Sequence, residues 1–177
     1  MSGSGRGRPV DVVLLALGPV LVAAYAVTGH LAVRTAVRAQ IAGPEWEGGS
    51  IDSSGMTSLG IDTWRVTWWT ALVVGLVAVA YTAIGTLLRR AGRGRTLLLV
   101  VSGVLIVPYA LGVFVAMNNP VKLLAQLYDS PDFAAGLPPW QPYNFLLLLA
   151  AGLIQAVGLP MASAKGRRAT VGEPAPS

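Results

Sequence analysis

Four long apolar stretches, residues 10–33, 66–88, 97–117 and 143–162, divide this chain. Each is close to the ~20 residues that cross ~30 Å of hydrocarbon as an α-helix. A lipid interior offers no water to backbone N–H and C=O groups, so spanning segments of this length must be helical. None carries a charged residue in its central portion, and Asp11 lies at the very start of the first, within reach of headgroups or water. Composition agrees: 54% of the 177 residues are apolar and only 12% charged, roughly half the charge of a soluble domain. The expected fold is an all-α membrane protein, an antiparallel four-helix transmembrane bundle with a small extracytoplasmic loop cap.

The basic residues orient the bundle. Arg6 and Arg8 precede the first span, Arg89, Arg90, Arg93 and Arg95 fill the connection 89–96, and Lys165, Arg167 and Arg168 follow the fourth. In a four-span chain these segments share one side, and Lys/Arg enrichment marks the cytosol. The opposite side has only Arg34, Arg38, Arg65 and Lys122 against Glu45, Glu47, Asp52, Asp62, Asp129 and Asp132. Both termini are therefore expected in the cytoplasm, with 1–9 and 163–177 as disordered tails around a membrane domain at 10–162. The outer loops are then 34–65 and 118–142. Abundant Arg, Ala, Gly and Val suit a GC-rich bacterial genome, which makes the bacterial plasma (inner) membrane the expected location. A small-x-small site at Ala24–Ala26 could end a signal peptide, but apolar character continues to Val33 and favours a retained span.

In the first outer loop, residues 43–50 (GPEWEGGS) are turn-forming. In the second, Pro120 can start a short amphipathic helix carrying Val121, Leu123, Leu124, Leu127 and Tyr128. Pro131, Pro138, Pro139 and Pro142 are expected to force an extended entry into the last span, and Pro108 to kink the third. No internal repeat is evident.

The absence of cysteine excludes disulfides, thiolate catalysis and Cys-based metal sites. A single histidine excludes haem held between two histidines of one chain. The four acids of the first outer loop lack EF-hand spacing. Ser50, Ser53, Ser54 and Ser58 lack a nucleophile elbow, and the glycines at 3–7 and 92–94 match no phosphate-binding loop. No catalytic residue, cofactor or metal is expected. The basic clusters flank spans rather than forming a face on a soluble domain, so nucleic acid is set aside.

Three groups of residues remain as candidates. His30, Arg34 and Arg38 recur every four residues beside an apolar stripe of Val33, Val37 and Ile41, so the first helix can rise beyond the membrane. They could contact an anion or lipid phosphate, or the arginines could meet headgroups or pair with the loop acids. All five tryptophans, Trp46, Trp64, Trp68, Trp69 and Trp140, fall on the outer side and could form a partner surface. Among the polar residues inside the spans, Tyr25, Tyr109 and Gln155 stand out. An amide at mid-span needs a partner, and Tyr109 or Tyr25 is the expected one.

The expected function is an accessory or assembly subunit of a membrane complex, held in the lipid bilayer and paired with a membrane-protein partner or with its own copies. Two alternatives stand beside it. One is a small oligomeric transporter or channel lined by Gln155, Tyr109, Tyr25 and Thr82. The other is an outer-leaflet lipid-binding or lipid-modifying protein working through His30, Arg34 and Arg38.

Overall fold

The computed structural model describes residues 10–44, 46, 48–88 and 94–171. Four helices are long and apolar enough to cross a membrane: α1 (Val10–Ala42), α2 (Ser58–Leu88), α3 (Arg95–Met117) and α6 (Phe145–Val171). Two short helices, α4 (Pro120–Leu127) and α5 (Pro131–Ala135), lie between α3 and α6. Among the described residues there is no strand, only an isolated antiparallel bridge between Ile51 and Thr57. The expected tails at 1–9 and 172–177 lie outside the described residues, as do Glu45, Glu47 and the basic residues Arg6, Arg8, Arg89, Arg90 and Arg93.

Two apolar clusters explain the lengths of the helices. The larger joins Val22 and Tyr25 of α1, Val74, Ala78 and Tyr81 of α2, Tyr109 of α3, and Leu148 and Ala151 of α6. The smaller, here called the cap, joins Val33, Ala36 and Val37 of α1 to Met56, Leu59, Val121 and Ala125, with Phe133 of α5 fully buried. With 33 residues, α1 is about 50 Å long at 1.5 Å per residue, well beyond ~30 Å of hydrocarbon. Its last turns serve the cap. The connection expected at 34–65 therefore contracts to 43–57, because α1 continues to Ala42 and α2 starts at Ser58 rather than at 66.

Two further boundaries differ from expectation. The prolines after residue 130 do not impose an extended entry. Pro131 opens α5, and Pro142 sits within a single 3-10 turn, Gln141–Tyr143. A missing N–H costs nothing in a first helical turn, and the fixed φ of proline suits it. The last helix also runs on to Val171, so residues 163–171 are helix where a tail was expected. Pro120 does start α4, behind Asn119, whose left-handed backbone (φ 48°) lets its side chain accept from the Lys122 N–H.

Polar side chains fasten the cap to α1. The Gln40 amide donates to Ser130 Oγ at 3.2 Å and accepts from Thr57 Oγ1 at 2.8 Å. At the other end, Arg95 donates to the backbone carbonyl of Ser163 at 3.0 Å and to its hydroxyl, tying the start of α3 to α6. Gly136, just after α5, lies so close to α1 that a Cβ there would sit 2.3 Å from Ala39 Cβ and 3.0 Å from Ala36 Cα. Gly136→Leu should therefore lever α5 and Phe133 off α1 and cost roughly 1–3 kcal/mol, as overpacking does. Thermal unfolding in detergent would measure this, with Gly103→Ala, which meets nothing within 4 Å, as the neutral control.

Candidate functional site

The three candidates on α1 take separate neighbours: His30 meets Trp64, Arg34 meets Ser54, and Arg38 is exposed. The His30 ring packs edge-on against Trp64 with centroids 4.7 Å apart, and Trp64 in turn lies 5.9 Å from Trp68. His30 Nδ1 is buried without a hydrogen-bond partner. Arg34 donates to the backbone carbonyl of Ser54 at 3.3 Å, and Arg38 is exposed. The three residues share a helix face as their spacing requires, but His30 turns to α2 while Arg34 reaches the 43–57 loop.

Of the loop acids that could pair with these arginines, Asp52 and Asp62 are engaged elsewhere. The Asp52 carboxylate accepts from Ser54 Oγ and from the backbone N–H groups of Ser54 (2.9 Å) and Met56 (2.8 Å). Asp62 accepts from the Tyr128 hydroxyl at 2.7 Å and lies 3.7 Å from Arg65. That carboxylate, first through the hydrogen bond and then through its charge, pushes the Tyr128 phenol pKa up. Among the described residues, no three His, Cys, Asp or Glu side chains come together as a metal site would require.

The tryptophans divide into two sets. Trp46 and Trp64 are partly covered, and Trp64 packs against the cap core. Trp68, Trp69 and Trp140 face outward, with Trp69 61% exposed. Tyr143, Leu127 and Phe114 are exposed as well.

Inside the spans, the expected partnership of Gln155 with Tyr109 or Tyr25 is not made. The Gln155 Nε2 donates to the carbonyls of Ala78 (2.8 Å) and Leu15 (3.3 Å). Thr82 Oγ1 faces the same two carbonyls, 2.9 Å from Leu15 O and 3.0 Å from Ala78 O. The reason lies in Pro19. Proline has no N–H to donate four residues back, so the carbonyl of Leu15, a fully buried residue, loses its ordinary helical partner. An unsatisfied carbonyl in lipid costs several kcal/mol, and Thr82 and Gln155 supply the missing donors. Gly18 leaves room for the arrangement, since a Cβ there would fall 2.2 Å from Gln155 Nε2.

Tyr109 donates instead to the Leu148 carbonyl at 2.7 Å, and Tyr81 to the Ser102 carbonyl at 2.8 Å. Tyr25 lines a small pocket with Gly29, Thr67, Gln141 and Asn144. Of the four residues proposed to line a pore, Gln155 and Tyr109 border one cleft and Tyr25 another pocket, while Thr82 lines neither. The cleft, about 600 Å³, lies between α3 and α6. The pattern of side chains along the chain carries no sign of it. Neither does it suggest the amide pair Asn119–Gln141, joined at 2.9 and 3.1 Å, or the Thr28–Asn144 contact at 2.6 Å.

No known family model matches the chain, and no curated protein or solved structure is significantly similar to it.

Two outcomes follow from this geometry. If Gln155 serves the carbonyl freed by Pro19, Gln155→Leu should cost on the order of 0.6–1.7 kcal/mol, the range of intramembrane hydrogen bonds. The loss should shrink in a Pro19→Ala background, where residue 19 regains its N–H; a double-mutant cycle in detergent unfolding measures the coupling, and equal losses in both backgrounds would contradict the assignment. For the loop, the Ser54 hydroxyl and then the Met56 N–H hold the Asp52 pKa below its ordinary value. A depressed carboxylate stabilises above the unfolded pKa and loses that contribution as pH falls through the folded value. Protection of the Met56 amide from hydrogen exchange should therefore drop below about pH 4, while Asp52→Asn should show weak protection that no longer varies with pH.

Proposed function

We propose that this chain is a non-enzymatic accessory or assembly subunit of a membrane complex. In this reading the four long helices form an antiparallel bundle in a bacterial plasma membrane, with both termini in the cytosol and the cap on the opposite side. The segregation of Lys and Arg supports that orientation, since basic residues crowd 89–95 and 165–168 and are outnumbered by acids in the connections around the cap.

The observation that carries the subunit reading is the construction of the cap. Phe133, Val33, Val37 and Met56 give it an apolar core of its own, separate from the core between the long helices. Trp68, Trp69 and Trp140 stand outside that core with much of their area exposed. A preformed body with rigid aromatic side chains on its surface suits recognition, because little ordering entropy is lost when a partner docks.

Affinity purification from the native membrane in mild detergent tests the proposal. A stoichiometric membrane-protein partner should co-purify with the wild-type chain and be lost with the Trp68→Ala/Trp69→Ala double variant, whose melting should be little changed. Recovery of a lone monomer would end the reading. A reporter fused after Ser177 should be active only in the cytosol.

A further inference from the structure

The cleft between α3 and α6 is separate from the aromatic rim of the cap, and its chemistry goes beyond the subunit reading. Most of its lining is aliphatic, including Leu99, Ile106, Leu149 and Leu153, and it contains no charged residue. At about 600 Å³ it falls in the range of pockets that take small apolar ligands. Leu153 and Ile106 are also exposed on the outer surface of the helices, so in a bilayer the cleft opens sideways to lipid.

Four polar side chains border it: Tyr81, Ser102, Tyr109 and Gln155. Their donors are all spent within the protein. Tyr81 donates to Ser102 O, Ser102 to Leu99 O and Tyr109 to Leu148 O. Each hydroxyl has a single proton, so these three oxygens can only accept. Both Gln155 N–H groups are taken by Leu15 O and Ala78 O, which fixes the amide orientation and leaves Oε1 as the free end. Gln155 is 2% exposed, and its Oε1 has no partner. Pro160 adds another acceptor, because it has no N–H for the carbonyl of Ala156, which also lines the cleft.

The surplus is one-sided. An apolar cleft bordered only by acceptors, in a medium without water, is complementary to an apolar molecule that brings a neutral donor. A carboxylate or phosphate would meet lone pairs and no cation. We infer that the α3–α6 cleft binds a neutral membrane lipid through a free hydroxyl group, which donates to the Gln155–Tyr109 side of the cleft. A long-chain isoprenoid alcohol and a diacylglycerol share this chemistry.

The probes that test this are tritiated oleyl alcohol, its methyl ether and oleic acid, each added to the full chain in nanodiscs of saturated phosphatidylcholine. Oleyl alcohol should bind saturably at one site per chain, and the ether and, at a pH that keeps it ionised, the acid roughly tenfold more weakly or worse, because a site built for a donor rejects analogues without it. Gln155→Leu should abolish the discrimination between alcohol and ether. Gly103→Trp, which fills the cleft from a position facing open space, should abolish binding of both while leaving the melting temperature unchanged. Equal affinity of wild type for alcohol and ether, or discrimination that survives Gln155→Leu, would overturn the inference. A second copy of the chain filling the cleft would overturn it too, and would appear as disulfide dimers of Gly103→Cys in this otherwise cysteine-free protein. Mass spectrometry of neutral lipids retained from the native membrane would distinguish isoprenoid alcohol from diacylglycerol. Neither the cap nor the partner takes part in these measurements, so their outcome is independent of the subunit reading.

Discussion

The carbonyl of Leu15 is the hinge of the membrane-embedded structure. In water a proline-freed carbonyl would be hydrated at little cost, whereas in hydrocarbon it must find a donor within the protein. It finds two, Thr82 from α2 and Gln155 from α6. A backbone defect in one helix thereby becomes a specific junction of three. Between lipid-embedded helices there is little hydrophobic driving force, because the tails are as apolar as the side chains. A junction with defined hydrogen-bond geometry fixes which faces of α1, α2 and α6 meet, and the Val, Leu and Ala contacts of the main core settle around it.

The helix left out of that junction is α3. It is held to α2 through Tyr81 and Ser102, and to α6 through Tyr109 and the Arg95–Ser163 contact. Its apolar packing is chiefly against α2, and the space left between α3 and α6 is the cleft. The cap follows a different logic. Its apolar side chains lie on the amphipathic ends of α1 and α2 and on α4 and α5. Gln40 bridges both connecting segments, so the cap is continuous with α1 rather than a loose appendage.

How much of this could be read in the sequence depends on whether a side chain or a backbone atom decided it. α3 was legible to within two residues at its start, because an apolar run is bounded there by arginine and at its end by asparagine. Pro120 announced α4 for a reason that is local to its own turn. The extensions of α1 and α2 were only half visible. Val33 and Val37 showed an apolar stripe, but the surfaces that cover it come from Phe133 and Val121, about a hundred residues later. The partner of Gln155 was missed because it is a main-chain oxygen, which leaves no mark in a pattern of side chains. Counting four residues back from Pro19 would have pointed to it. The cleft left no trace because it arises from where two helices fail to meet.

The junction at Leu15 also has a consequence for how the protein is made. The acceptor is synthesised at the start of the chain, and the amide that completes its coordination follows 140 residues later. For the first part of that interval, until Thr82 follows 67 residues after Leu15, this main-chain oxygen has neither donor. A nascent or truncated chain that stops before α2 therefore carries an unpaired carbonyl on α1, and one that stops before α6 leaves that carbonyl with Thr82 alone of its two donors. Such a defect is the kind of feature by which membrane chaperones and proteases distinguish an unfinished polytopic protein from a finished one.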